Sequence, residues 1–177
     1  MRQTLKLHPD SRCSAITQIE VELARPQAGA LLLSYRVPGA IGDLRISPIV
    51  APARADQLWR HTCFEAFVRR AVSGEAYYEF NFAPSTQWAA YAFDGYRSGM
   101  RVAAEIGAPR IEVGFAPECY TLQVLLDFDQ PWSASSWRLG LSAVIEEADG
   151  RKSYWALAHP PGKPDFHHSD CFAVELP

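Results

Sequence analysis

The chain has 177 residues, of which 48% are hydrophobic, and a formal net charge of −3. That length fits one domain (residues 1–177), and the apolar fraction is enough to bury a core without disulfides or a structural metal. No basic cluster points to nucleic acid, no Lys/Arg-rich amphipathic stretch points to a membrane surface, and no run approaches the ~18 apolar residues of a spanning helix.

The N-terminus, Met1 to Asp10, carries two cations but no apolar h-region, so a signal peptide is not expected and the protein is read as cytoplasmic. Cys13, Cys63, Cys119 and Cys171 are widely spaced with no CxxC pair, which in that compartment predicts reduced thiols. Strand candidates follow in chain order. Ile19, Val21 and Leu23 share a face within 16–24; Leu31, Leu33, Tyr35 and Val37 share one within 30–37. The stretch 41–57, rich in Pro, Ala and Arg, reads as a long surface excursion.

Three strand-like runs then concentrate the unusual residues: Leu58 to Phe67, Tyr77 to Pro84 and Ser153 to Pro160, followed by the loop Lys163 to Asp170. In the first, Thr62, Phe64, Ala66 and Val68 separate from His61, Cys63, Glu65, Phe67 and Arg69. In the second, Tyr78, Phe80 and Phe82 separate from Tyr77, Glu79 and Asn81. In the third, Trp155, Leu157 and His159 face away from Tyr154, Ala156 and Ala158. A strand over 85–93 places Trp88 and Tyr91 on opposite faces, and 97–106 has no clear period. Tyr120, Leu122, Val124, Leu126 and Phe128 form another apolar face, and Trp137, Leu139, Leu141, Ala143 and Ile145 the next. The Asp149-Gly150 step predicts a hairpin joining 137–146 to 153–159. Short strands with turns and no alternating helices predict an all-β antiparallel β-sandwich, with a closed barrel as the alternative.

Mixed strand faces of this kind suit a small hydroxylated ligand. A pyranose packs its C–H face on an aromatic ring, and its hydroxyls need carboxylate, amide or guanidinium partners. Candidate platforms are Trp59, Trp88 and Trp155; candidate polar groups are His61, Glu65, Glu79, Asn81, Arg97, His159, Lys163, Asp165 and His167. Each of these Trp rings has core filling as its competing role, and Glu65 and Glu79 that of solvated outward charges or of salt bridges to Arg69 and Arg70. His61, His159, His167 and His168 with Asp165, Asp170 or a thiolate match no compact zinc spacing, so no metal is expected. His167-His168-Ser169-Asp170 holds the ingredients of a hydrolytic triad, but contiguous residues do not supply its geometry. No catalytic motif is present, and a non-enzymatic binding module is expected.

The blocks Leu58-Trp59-Arg60-His61-Thr62-Cys63-Phe64-Glu65-Ala66-Phe67, Tyr78-Glu79-Phe80-Asn81-Phe82-Ala83-Pro84, Ser153-Tyr154-Trp155-Ala156-Leu157 and Lys163-Pro164-Asp165-Phe166-His167 resemble a bacterial group of the DOMON-like superfamily. That superfamily contains family 9 carbohydrate-binding modules and haem- or sugar-binding DOMON domains. The resemblance spans essentially the whole chain and implies a β-sandwich, a non-catalytic role and a sugar held on one sheet. In sugar-binding relatives two Trp rings sandwich a terminal sugar; Trp59 and Trp155 match that pair by motif position, with Glu65 as a hydrogen-bonding carboxylate. The relatives' acidic residues after the first Trp are replaced by Arg60-His61-Thr62-Cys63, so their polar network is not reproduced. The expectation is therefore a carbohydrate or sugar-derived metabolite as small-molecule partner, without cofactor, nucleic acid or membrane. The alternatives are a haem module, pairing Met100 with His159 or His167 as axial ligands, and a protein-interaction domain without a small ligand.

Overall fold

A computed structural model describes residues 1–72, 74–128, 132 and 136–177. Within them the chain is all-β and antiparallel, with short 3₁₀ turns and no α-helix. The strands are β1 (Arg2–Leu7), β2 (Ile19–Ala24), β3 (Ala30–Pro38), β4 (Cys63–Arg70), β5 (Tyr77–Phe82), β6 (Trp88–Phe93), β7 (Arg101–Val102), β8 (Arg110–Ala116), β9 (Cys119–Asp127), β10 (Trp137–Glu146), β11 (Lys152–Ala156) and β12 (Val174–Leu176). They form one ladder in the order β7-β6-β5-β4-β10-β11-β1-β2-β3-β9-β8, with β12 also paired to β10.

The ladder folds over on itself at β1. Arg2 to Leu5 pair with β2, whereas Lys6 and Leu7 pair with β11, so one strand belongs to both layers of the sandwich. Between the layers lie the alternating apolar residues of each strand, which supply the main driving force for folding. Tyr35 and Tyr120 of one layer meet Phe64 of the other, at ring centroids of 5.0 and 5.8 Å. The Tyr35 hydroxyl closes the seam by donating to the Glu65 carbonyl at 3.1 Å.

Strand periodicity places most elements where the sequence predicts them. The hairpin is there: Glu146 pairs with Lys152, and Gly150 takes the positive φ of 87° the turn needs. Two of the boundary shifts bear on the site. Residues 58–60 form a 3₁₀ turn, not the start of a strand, with Gln57 in the left-handed region before it. β11 ends at Ala156, so His159 lies beyond it. Strands β1, β7, β8 and β12 are additions; β7 is two residues long, β8 is half-exposed and weakly alternating, and β12 is three residues long.

The second layer, from β7 through β11, turns its other face outward, and two features cover that face. The turn Leu58–Arg60 stands at one side, and the segment after β11 crosses over it before returning as β12. Gly140 permits the crossing: a Cβ there would meet the Cys171 carbonyl oxygen at 3.0 Å and the Phe67 Cβ at 3.4 Å. Cys171 and Cys63 are buried free thiols, while Cys13 and Cys119 are half-buried. No helix among the described residues is long and apolar enough to cross a membrane.

Candidate functional site

Outward-facing residues of adjacent strands build a second apolar cluster on the covered face. Phe67 of β4, Tyr77 of β5, Tyr91 and Phe93 of β6 and Val144 of β10 form its base, and Phe166 and Phe172 pack on them from the crossing segment. Tyr77 and Phe93 stack at 4.7 Å with ring planes 7° apart. The cluster leaves a cavity of about 360 Å³, at the small end of the ~300–1,000 Å³ usual for ligand clefts. Trp59, Phe93, Tyr154 and Phe166 supply its aromatic surface, and Glu65, Glu79, Arg97 and His167 its polar groups.

Two acids sit inside this apolar setting. Glu65 is only 3% exposed and Glu79 5%. Glu65 pairs with Asn81 across the ladder and Glu79 with Phe67, so the two acids are diagonal neighbours on one face. Glu79 is anchored by Asn81, whose amide donates to it at 2.7 Å. Glu65 has less support, a 3.4 Å hydrogen bond from the Ser142 hydroxyl on β10. Burial pushes the Glu65 carboxyl well above its usual range and the nearby Glu79 charge adds to this; Ser142 and Arg97 oppose them. Burial also raises Glu79, against its Asn81 hydrogen bond and the Arg97 charge.

At the rim, Arg97 occupies a left-handed turn position with φ of 50°. Its guanidinium donates to Asp165 at 2.8 Å, and Asp165 also accepts from the Tyr96 hydroxyl and, at 3.1 Å, from the His167 backbone N–H. Burial works against the Arg97 charge, but Asp165 more than offsets it. These contacts tie the β6–β7 turn to the covering segment. His167 is held edge-on to Phe67 and Phe93, at 5.1 and 5.2 Å, with its Nδ1 2.7 Å from the Tyr77 hydroxyl. Burial, followed by the Arg97 charge, lowers its pKa to about 4. Its Nε2 lies 3.7 Å from Glu79, an approach between two groups both pushed toward neutrality.

The structure thus brings together Trp59, Glu65, Glu79, Arg97 and His167, with Asn81 and Asp165 behind them as supports. It separates the others. Trp155 is 2% exposed within the inter-layer core, its indole N–H on the Ser153 hydroxyl at 2.9 Å, and so cannot stack on a ligand in this cavity. The physical reason is strand alternation: Trp155 shares its face with Leu157, and Tyr154 takes the outward position. Trp88 is likewise in the core. His61 lies at the surface beside Glu146 at 2.7 Å, and His159 pairs with the Lys6 carbonyl at 2.8 Å, beside His8. Lys163 is exposed on the loop and does not line the cavity. Phe93, Tyr154 and Phe166 are the site residues the motif reading missed; alternation through Tyr91 and through Ala156 points to the first two.

Met100 and His167 both line the cavity, but the two His167 nitrogens face the Tyr77 hydroxyl and the Glu79 carboxyl, an arrangement that does not fit axial ligation of haem. Among the described residues no three His, Cys, Asp or Glu side chains gather as a metal set. A larger hollow of about 470 Å³ lies on the opposite layer, over β2, β3, β8 and β9. Its charges are surface pairs such as Arg2–Glu22 and Arg36–Glu20, its aromatic lining residue Tyr35 is buried in the inter-layer core, and none of the acids lining it is buried.

Comparison with solved structures places the fold. The chain matches a candidate carbohydrate-binding protein of Bacteroides uniformis with a TM-score of 0.68, at 14% identity over 96% of this chain and 83% of that one. It matches a family 9 carbohydrate-binding module of Caldicellulosiruptor kristjanssonii, solved with cellotriose, at 0.56 and 10% identity over 89% and 74%. The same type of module solved with glucose matches at 0.52 and 10% identity over 89% and 76%. No protein-family model matches the chain, and no curated protein matches it. What these structures share with the chain is the antiparallel β-sandwich of family 9 modules.

Proposed function

We propose that the protein is a non-catalytic carbohydrate-binding module of the DOMON-like type that works in the cytoplasm. A single sugar ring would enter the covered cavity, with Trp59 and Tyr154 offering apolar surface to its C–H faces. Glu65 and Glu79 would hydrogen-bond its hydroxyls from the base, and Arg97 from the rim. One observation carries this reading: two carboxyl groups buried under aromatic walls, on the outward face of a sheet, where core packing does not require them. Burying acids without full pairing costs stability, so their presence points to a ligand that completes their hydrogen bonds. The fold shared with modules solved with cellotriose and glucose supports the same ligand class.

The test is calorimetry and tryptophan fluorescence with a panel of neutral, amino and acidic monosaccharides and short oligosaccharides. Binding by at least one sugar is expected, with Trp59→Ala weakening it by about 1–3 kcal/mol, the range for an aromatic anchor. No response across the panel would remove the reading.

A further inference from the structure

The two buried acids of the cavity have no committed counter-charge. Arg97 is the guanidinium that lines it, and Asp165 already holds that group at 2.8 Å. His167 is neutral near pH 7, with a pKa of about 4. An ionised Glu65 or Glu79 therefore has no cation committed to it, since Arg97 favours both charges but is itself held by Asp165. The groups facing Glu65 are Cys63 on its own strand, Glu79 and Asn81 on β5, Ser142 on β10, Arg97 in the β6–β7 turn and His167 in the covering segment.

The walls fit the same deficit. Aromatic faces attract cations through the ring quadrupole, and desolvation strengthens the effect. Trp59, Phe93, Tyr154 and Phe166 enclose the acids with such surfaces. Diagonal neighbours on paired strands stand ~7–8 Å apart, a span that two glutamate side chains can close on one small group between them.

We propose that the cavity selects a sugar bearing a protonated amino group, the ammonium lying between the Glu65 and Glu79 carboxyls and the ring against Trp59 and Tyr154. This rests on the carbohydrate reading above and narrows its ligand. In the empty site burial and the Glu79 charge favour the protonated form of Glu65. Entry of R–NH₃⁺ ionises it: the carboxyl proton leaves to buffer, and the carboxylate then pairs with the ammonium. Binding of an amino sugar thus releases up to one proton. A neutral sugar has no such coupling and instead uses the protonated carboxyl as a donor.

The experiment compares glucosamine, N-acetylglucosamine and glucose by calorimetry from about pH 5 to about pH 7, where the ammonium stays charged. Two buffers of different ionisation enthalpy count the protons. Glucosamine is expected to bind at least tenfold tighter than glucose, with affinity rising with pH and protons released. Glu65→Gln and Glu79→Gln, each checked for folding by circular dichroism, are expected to erase that preference. Glucose or N-acetylglucosamine binding as tightly as glucosamine would overturn the amine inference and leave the carbohydrate reading standing. A preference that survives both glutamine variants would overturn the placement of the ammonium, and silence from every sugar would overturn both readings.

Discussion

Replacing His167 by glutamine separates the cover of the cavity from the acids beneath it. In the folded protein the imidazole has a pKa of about 4, against an ordinary 6.5, with burial the main cause, Arg97 adding to it and Asp165 opposing. Between those values the unfolded chain binds a proton that the folded one does not. The contribution of His167 to stability is therefore complete above pH ~6.5 and lost as pH falls to about 4. At ~1.4 kcal/mol per pH unit the loss is roughly 3 kcal/mol. Glu65 and Glu79 run the other way: their folded pKa values are raised, so their contribution is complete below about pH 4.5 and lost as pH rises through the folded values. The difference between wild type and His167→Gln removes that opposing trend to first order. Urea denaturation of both proteins in half-unit steps from about pH 4 to about 7.5 should show the wild type losing roughly 3 kcal/mol relative to the variant on acidification. NMR titration of the imidazole should give the low value directly. Tyr77, Glu79, Arg97 and Asp165 face the ring, so Arg97→Gly, which suits the left-handed turn, should raise its pKa by removing the opposing charge. An imidazole that titrates at 6.5 or above in the folded protein, or a pH-independent difference in stability, refutes the argument.

Further outcomes can be checked alongside it. Trp155→Phe should lower stability by about 1–3 kcal/mol, because the buried Ser153 hydroxyl loses its indole partner, and should leave sugar affinity unchanged; weaker binding at equal stability would contradict the core placement. Gly140→Ala should cost about 1–3 kcal/mol in thermal or urea denaturation, since the Cys171 carbonyl oxygen stands 3.0 Å from the new methyl and the crossing segment must shift. An unchanged melting point would show that the segment is not held there. Glu65→Leu should stabilise the protein or leave it neutral in urea, because an acid supported by one 3.4 Å hydrogen bond is replaced by an apolar group; a loss of more than about 2 kcal/mol would assign Glu65 a structural role.

How far the site was legible follows from where period-two alternation applies. On β4 and β5 it sorted Glu65, Glu79 and Asn81 onto one face and Phe64, Phe80 and Phe82 onto the other, and the structure keeps that division. The same rule on β11 grouped Trp155 with Leu157, yet motif position promoted Trp155 to a ligand platform; the alternation was the better guide, and Tyr154 stands outward in its place. Where no period exists, the chain gave less. The 3₁₀ turn that sets Trp59 beside Tyr91 at 5.8 Å and the crossing that brings Phe166 over β11 are tertiary placements. Gly140, with Cys171 against it, shows why: an unremarkable residue in a strand determines whether a segment thirty residues later can cover the sheet. Burial completes the difference. The sequence allowed Glu65 and Glu79 to be solvated surface charges, and that covering segment turns them into an enclosed acid pair. The chemistry of the site thus comes from long-range packing laid over a face that local periodicity had already sorted.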